Sequence, residues 1–327
     1  MYSRPIMIAM MIVVLSATLF QVSADIYLPS LPAIAVFFHC SLGQAQLTIS
    51  YFIAGVAVTA LWYGPISEGI GRRWTLVIGI GIGISGTLLC LYAAHIAQLQ
   101  VGRFIQGCGV GAGTVLWRTV LRDYFYGKKL AQVTSFLLIF MVLSMMMAPI
   151  LGGYLQQYSG WHASFVFLLL WLFCILIIVL FLFAESNKHH HRHKLSLNFI
   201  FLSYRQLLAQ RRFMVFTAMG FLTYGGLLTL FTAAPVVFIH GLGLRPITFG
   251  YMMMLIGIIT GVAGWLNAKL SHQISIKTIL LYGIGLMLLS GVMLLGISYW
   301  FKYSIILFMV PIILFTIGST FIFLNCF

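Results

Sequence analysis

Acidic residues are nearly absent from this 327-residue chain, which has four of them against 18 lysines and arginines. Charged residues make up 7% of the sequence, far below the roughly 25% of soluble globular proteins. Apolar residues make up 62%. Because the basic residues are spread over several polar breaks, their excess does not indicate nucleic-acid binding. The composition excludes an ordinary soluble domain and predicts a membrane protein.

Cysteines are few and show no paired spacing, so we interpret all five as reduced packing residues. No Ser/His/Asp, Cys/His or HExxH arrangement stands at a predicted helix end, so we expect no enzymatic activity, no cofactor and no metal. The run HHHRH at 189–193 leaves one alternative open, a metal-dependent membrane enzyme. A solvated polar loop is the interpretation that we prefer for this run.

Long apolar runs recur along the whole chain. A helix needs about 20 apolar residues to cross a hydrocarbon core of about 30 Å. The sequence therefore predicts an all-α polytopic membrane protein with about ten transmembrane helices. The predicted spans are 6–27, 45–67, 75–96, 98–118, 131–155, 163–183, 214–239, 247–268, 278–299 and 303–325.

The basic residues alternate with these spans in a way that predicts orientation. With a cytoplasmic N-terminus, only Arg245 and Lys302 fall in outer loops, as the positive-inside rule requires. A cleavable signal peptide is an alternative for the first span, since the small residues VSA precede Asp25. The apolar run is longer than the 7 to 15 residues typical of such signals, which favours a retained helix.

The longest polar break divides the chain into six spans before it and four after it. We expect an N-terminal six-helix bundle (1–184), a cytoplasmic central loop (185–212) and an incomplete C-terminal bundle of four helices (213–327). Such a division suggests a 6 + 6 design of which 6 + 4 is present. We therefore expect the chain to be truncated within its tenth helix.

Asp25 lies in the apolar stretch LFQVSADIYLPSLPAIA. An ionisable group at bilayer depth costs on the order of 3 kcal/mol, so its presence predicts a functional site. Arg103 lies at a similar predicted depth, and an arginine cannot give up its charge. We expect the two to pair, either directly or through Gln106. The alternatives are an interfacial position for Asp25 and snorkelling of Arg103 to the outer surface.

Five motifs in order resemble the major facilitator superfamily, specifically its drug/proton antiporters of the bicyclomycin and chloramphenicol resistance type. They are DIYLPSLPAIA from Asp25, GPISEGIGRR at 64–73, RFIQGCGVG from Arg103, RTVLRDYF at 118–125 and APILGG at 148–153. The resemblance implies the major facilitator fold and covers essentially the whole chain.

The resemblance also implies roles for individual residues. GPISEGIGRR is similar to the gating loop GxLxDRxGRR of that family, but Glu68 stands where the family has aspartate and Gly69 where it has arginine. The implied proton-coupling residues are Asp25, Arg103 and Gln106. The implied gating-loop residues are Gly64, Glu68, Gly71, Arg72 and Arg73, and the antiporter motif of the fifth span is Ala148, Pro149, Gly152 and Gly153.

By the same resemblance, the first, fourth, seventh and tenth spans line a substrate cavity. Aromatic and methionine side chains suit poorly discriminating binding of planar apolar drugs, although plain packing or lipid contact is the alternative. The candidate cavity residues are Tyr27, Trp117, Met141, Tyr224 and Phe231.

The function expected from the resemblance is proton-coupled export of drugs or other small apolar or cationic compounds, a drug:H⁺ antiport. Its expected partners are small-molecule drugs, protons and the lipid bilayer, with no nucleic acid, and we expect a monomer in the bacterial inner membrane. Two alternatives stay open beside the metal-dependent enzyme. The first alternative is a transporter that is specific for one metabolite or sugar. The second is an inactive fragment of an exporter.

Overall fold

The computed structural model describes residues 4–186, 205–300 and 304–326, and in these ranges its regular structure is helical. The predicted histidine run at 189–193 lies outside them. The main helices are α1 (Arg4–Asp25), α2 (Leu31–Phe37), α3 (Leu42–Ile70), α4 (Arg72–Leu91), α5 (Ile96–Tyr124), α6 (Gly127–Ser159), α7 (His162–Leu182), α8 (Arg211–Pro235), α9 (Pro246–Leu270), α10 (Ile276–Trp300) and α11 (Ile305–Cys326).

Nine of the described segments are long and apolar enough to cross a membrane. The remaining predicted span, 98–118, corresponds to α5, which is 29 residues long and so reaches about 43 Å. Helix α5 is long enough to cross a membrane, but it is not among the nine apolar segments. The prediction of an all-α polytopic membrane fold is confirmed.

The predicted first span ends too early. After Asp25 the chain makes a 3₁₀ turn at Leu28–Ser30 and continues as α2 to Phe37, so that a single apolar segment runs from Ile6 to Phe37. Pro29 and Pro32 are the second residues of these two short elements. Proline lacks the backbone N–H that would continue the α1 hydrogen-bond ladder, which explains the break.

Helix α5 occupies the centre of the first six spans and packs against α1, α3 and α4. Its glycines make this packing close on three sides. A Cβ atom at Gly107 would overlap the α3 backbone, one at Gly109 would overlap the α4 backbone, and one at Gly113 would come within 2.7 Å of the Ser16 carbonyl oxygen in α1. Small residues of this kind drive helix association in lipid, where apolar burial gives no advantage.

The outer faces of the bundle are apolar. Phe181 on α7 is 80% exposed and Leu295 on α10 is 73% exposed, and both lie on helices that qualify as membrane spans. A soluble protein rarely exposes such continuous apolar surface. In a bilayer these faces contact acyl chains, and the protein is therefore a multi-pass membrane protein.

Replacing Gly109 with alanine should destabilise the bundle, because the new methyl group meets α4 backbone rather than a movable side chain. We expect the free energy of unfolding to fall by about 1–3 kcal/mol. Gly81→Ala is the matched control, since a Cβ at this α4 glycine meets nothing within 4 Å. Detergent unfolding of the purified protein measures both, and equal stability of the two variants would contradict the close α4–α5 crossing.

Candidate functional site

Arg103 is fully buried in the centre of the first six spans. Its guanidinium carbon lies 4.3 Å from the ring centroid of Phe52 and 4.6 Å from that of Tyr27, and the ring of Phe165 is 6.0 Å away. Aromatic faces attract a cation electrostatically, and the attraction strengthens without water. The three rings therefore form an aromatic cage (Tyr27, Phe52 and Phe165) that holds a permanent charge inside the protein.

A single nitrogen of this guanidinium, Nη1, makes the hydrogen bonds of Arg103 to the other described residues. Arg103 Nη1 donates to the Ser23 carbonyl oxygen at 3.1 Å and to Gln106 Oε1. Gln106 Nε2 in turn donates to Thr87 Oγ1 at 2.8 Å. Gln106 and Thr87 are as fully buried as Arg103. A polar chain thus connects α4, α5 and the end of α1, in agreement with the predicted proximity of Arg103 and Gln106.

The predicted ion pair between Asp25 and Arg103 does not form. Both ion pairs found among the described residues involve Arg72 instead. The physical reason lies at the end of α1, where the last carbonyl groups have no intrahelical partner and carry the negative end of the helix dipole. Arg103 binds the Ser23 carbonyl there, two residues before Asp25. Snorkelling of Arg103 is also wrong, since its side chain is fully buried.

Asp25 is the last residue of α1 and retains 9% exposure. In the described ranges its carboxylate has neither an ion pair nor a hydrogen bond. The turn at Leu28–Ser30 that follows Asp25 packs against α8, a helix after the long polar break. Asp25 is therefore buried close to α8, and Arg103 does not neutralise it.

Tyr27 belongs to the aromatic cage rather than to an open cavity. It is fully buried, its hydroxyl shares a 2.9 Å hydrogen bond with Thr48 Oγ1, and its ring meets Phe165 edge-on at 5.3 Å. Trp117 is also buried, with the Arg118 guanidinium 5.0 Å from its ring. These two predicted cavity residues are therefore packing residues.

The other three predicted cavity residues are more accessible. Tyr224 is 36% exposed, and Met141 and Phe231 are half-buried against apolar clusters. A separate cleft of about 320 Å³ opens between α3 and α8. It is lined by Ser50, Ile53, Ala54, Leu228, Thr229 and Thr232. None of the five predicted residues lines this cleft, although Phe231 adjoins Thr232 in sequence.

The predicted gating loop forms a charge cluster at the end of α3. Arg72 is buried and binds Glu68 Oε1 at 2.5 Å, Ser67 Oγ at 2.6 Å and Asp123 Oδ2 at 3.3 Å. Gly71 adopts φ 97° between α3 and α4, a conformation that favours glycine. Gly64, by contrast, has open space around it. The cluster connects α3, α4 and α5 at one end of the bundle.

Glu185 completes this cluster from the segment after α7. Its two carboxylate oxygens accept hydrogen bonds from the backbone N–H groups of Arg72 at 2.9 Å and Arg73 at 3.1 Å. These groups are the first of α4 and have no intrahelical partner, so a carboxylate there both caps the helix and complements its dipole. The Arg73 side chain reaches the Leu180 carbonyl oxygen of α7.

The sequence-based assignment missed Asp123 and Glu185. A signal was nevertheless present, since three of the four acidic residues stand just after predicted spans, on the side that carries the basic loops. In a chain with so few carboxylates, each one near a buried arginine is a candidate partner.

The predicted antiporter motif lies where α6 crosses α1 and α9. A Cβ atom at Gly152 would overlap the backbone at Ile26, and one at Gly153 would come within 3.0 Å of the Ile247 Cα. From the other side, a Cβ at Gly250 would lie 2.8 Å from the Pro149 carbonyl oxygen. The motif therefore makes the close contact between helices that precede and follow the long polar break.

Within the described ranges, no three His, Cys, Asp or Glu side chains lie together as metal ligands would. The histidine run at 189–193 falls outside those ranges.

Comparisons with known proteins concern the family and the fold. The Major Facilitator Superfamily model matches residues 13–327. A "Bicyclomycin resistance protein homolog" of Haemophilus influenzae is 29% identical over 282 residues, which are 84% of this chain and 71% of the relative. "Multidrug resistance protein D" of Escherichia coli is 30% identical over 49% of this chain and 41% of its own length.

One solved structure shows the same fold. The partially occluded, inward-open xylose transporter XylE of E. coli superposes with a TM-score of 0.74 at 14% identity, over 98% of this chain and 85% of that one. At this identity the likeness concerns the fold alone.

Removing the Glu185 cap should destabilise the charge cluster. We expect Glu185→Ala to lower the free energy of unfolding by about 1 kcal/mol, because two α4 N–H groups lose their acceptor. Glu185→Gln keeps one oxygen acceptor and should lose about half as much. Denaturant titration of the purified protein measures both variants, and wild-type stability of Glu185→Ala would show that the cap contributes nothing.

Proposed function

Because the chain belongs to the Major Facilitator Superfamily, we propose that it is a proton-coupled secondary transporter that exports drugs or other small apolar or cationic compounds. The proposal depends mainly on the position of Asp25. Asp25 is a buried carboxylate at the end of α1, within an apolar segment long enough to cross a membrane, and it is not paired with Arg103. The names of the relatives support drugs as the substrate class.

Asp25 is the proposed proton carrier. Holding a bare carboxylate in an apolar site is costly unless a cation or hydrogen-bond donor satisfies it. Arg103, on α5, binds the Ser23 carbonyl of α1 two residues before Asp25, and its other hydrogen bond goes to Gln106. A proton or a cationic substrate can each relieve the cost at Asp25, and the two then compete for one group. Such competition couples export to the inward flow of protons.

The substrate would bind in the cleft between α3 and α8. The hydroxyls of Thr229 and Thr232 already donate to carbonyl oxygens of their own helix. Their methyl groups, with Ile53, Ala54 and Leu228, make the lining largely apolar. An apolar lining with few committed polar groups suits substrates recognised mainly by shape and hydrophobicity, as drugs are.

Alternating access would come from rocking of the proposed units 1–184 and 213–327, linked through 185–212. Near the start of α3, Gln46 Nε2 donates to the Thr232 carbonyl oxygen at 2.9 Å, and the α6–α9 crossing lies towards the same end. The charge cluster stands at the opposite end of α3. We place the cluster on the cytoplasmic side of the inner membrane, with a cytoplasmic N-terminus, and propose a monomer as the working unit.

The first test is drug accumulation in a bacterium that lacks its own efflux pumps. Cells that express the chain should accumulate less of a fluorescent cationic dye and less chloramphenicol, and a protonophore should abolish the difference. Membrane insertion must be verified first. Unchanged accumulation with the inserted protein would contradict the proposed export.

Asp25→Asn should remove proton-driven export, because an amide cannot exchange a proton. We expect the protonophore-sensitive part of export to fall by at least about tenfold, the scale expected for losing one functional buried group. Thr18→Val is the matched control on α1, since this hydroxyl bonds only to its own helix. Full proton-driven export by Asp25→Asn would refute the carrier role.

Filling the cleft should weaken substrate binding. Ala54→Phe places a large ring among the lining residues, and we expect the apparent KM for the dye to rise several-fold, roughly the effect of one to two lost apolar contacts. Leu170→Phe is the control, since Leu170 is largely exposed on α7. Unchanged KM in Ala54→Phe would place the binding site elsewhere.

A further inference from the structure

We infer that Thr87, on α4, is a positioning residue for the coupling arginine, acting through Gln106. The inference rests on the proposed proton-coupled function and extends it to a helix that carries none of the predicted coupling residues. Thr87 contacts neither the proton carrier nor the substrate cleft in the described part of the chain. Its hydroxyl instead fixes the orientation of a side chain that Arg103 needs.

The aromatic cage leaves one degree of freedom at Arg103 open. Tyr27 and Phe52 lie 4.6 and 4.3 Å from the guanidinium carbon, but a ring face attracts the charge without fixing which nitrogen meets which acceptor. The Nε and Nη2 atoms are buried and have no hydrogen-bond partner in the described residues. Rotation is therefore set by the two bonds of Nη1, to the Ser23 carbonyl and to Gln106.

The direction of each hydrogen bond in the chain follows from chemistry. A guanidinium only donates, so the Gln106 atom that faces it must be the carbonyl oxygen. The amide nitrogen of Gln106 must then donate elsewhere, and the acceptor is Thr87 Oγ1 at 2.8 Å. That oxygen can accept because its own proton goes to the Gly83 carbonyl at 2.7 Å. Without the hydroxyl, the amide nitrogen of Gln106 loses the one acceptor that it has among the described residues, and only its oxygen stays bonded, to Arg103.

The backbone geometry brings Thr87 to this position. A Cβ atom at the neighbouring Gly86 would come within 2.6 Å of the Gln106 Cα, so α4 and α5 touch backbone to backbone here. The contact places the hydroxyl beside the amide at a point where Thr87 and Gln106 are both fully buried. An unpaired polar group buried in this way is energetically unfavourable, and the orientation of the amide is therefore costly to lose.

The consequence for coupling concerns Asp25. As long as Nη1 is held on the Ser23 carbonyl, the guanidinium stays off the carboxylate two residues further along α1. A free guanidinium would be drawn to that carboxylate and would compete with the proton and with a cationic substrate. Thr87 thus keeps Asp25 available for exchange.

Nuclear magnetic resonance of the arginine side chains tests the position directly. The full chain is labelled with ¹⁵N-arginine and placed in lipid nanodiscs, and Arg103→Lys assigns the ring-shifted Arg103 signals. We expect Thr87→Val and Thr87→Ala to shift or average the Arg103 Nη signals, and Thr87→Ser to restore them. Thr316→Val is the control, since this buried hydroxyl bonds only to its own α11 backbone.

Export measurements supply the functional arm. In Thr87→Val we expect the maximal export rate to fall about tenfold, because Gln106, which binds the charged Arg103, loses one buried hydrogen bond. The apparent KM for the dye should stay within about twofold of the wild-type value. Thr87→Ser should export normally. Unchanged Arg103 signals in both Thr87→Val and Thr87→Ala would overturn the inference, as would failure of Thr87→Ser to restore them.

The resonance and export measurements together distinguish the role of Thr87 from the proposed function. If the Arg103 signals respond as expected but the wild-type chain exports nothing, the proposed function fails and the positional role of Thr87 stands. If the wild type exports and the signals do not respond, the proposed function stands and the role of Thr87 is wrong.

Discussion

The permanent charge of Arg103, buried without a carboxylate, is the constraint on which the first six helices depend. An arginine in the interior must be stabilised by aromatic faces, carbonyl oxygens or both, because it cannot become neutral. Three aromatic rings and the open end of α1 supply these groups. They reach the guanidinium only because glycines on α5 let its neighbours approach to backbone contact. The stabilisation of the buried charge therefore depends on the glycines of α5.

Hydropathy predicted the helices well because lipid imposes the same length on every span. Nine of the ten predicted spans coincide with described helices that are apolar enough to cross a membrane, and the other, 98–118, coincides with α5. The limits of the first span were less predictable, since Pro29 and Pro32 redirect the chain without making it polar. Close helix crossings at the antiporter motif were also readable, because glycine and proline at that spacing have few other uses in a membrane.

The partners of the charges could not be read from the sequence. Equal depth suggested that Asp25 and Arg103 pair, but depth does not say where a helix ends. Because α1 stops at Asp25, a free carbonyl at Ser23 competes with the carboxylate and binds the arginine. The same limit applies to the cavity residues, since an aromatic side chain such as Tyr27 serves equally well in a cage or in a cleft, and only the packing decides.

The four carboxylates divide into two kinds of site, and this division carries the functional argument. Glu68, Asp123 and Glu185 lie together at one end of the bundle, around Arg72. Helix ends and polar groups nearby stabilise the negative charges of these side chains. The fourth, Asp25, is the last residue of α1 and is not paired with Arg103. Ion pairs with Arg72 account for Glu68 and Asp123, and the cap on α4 accounts for Glu185. Neither role accounts for Asp25, and the proton exchange that we propose there gives a reason for an acid at that position.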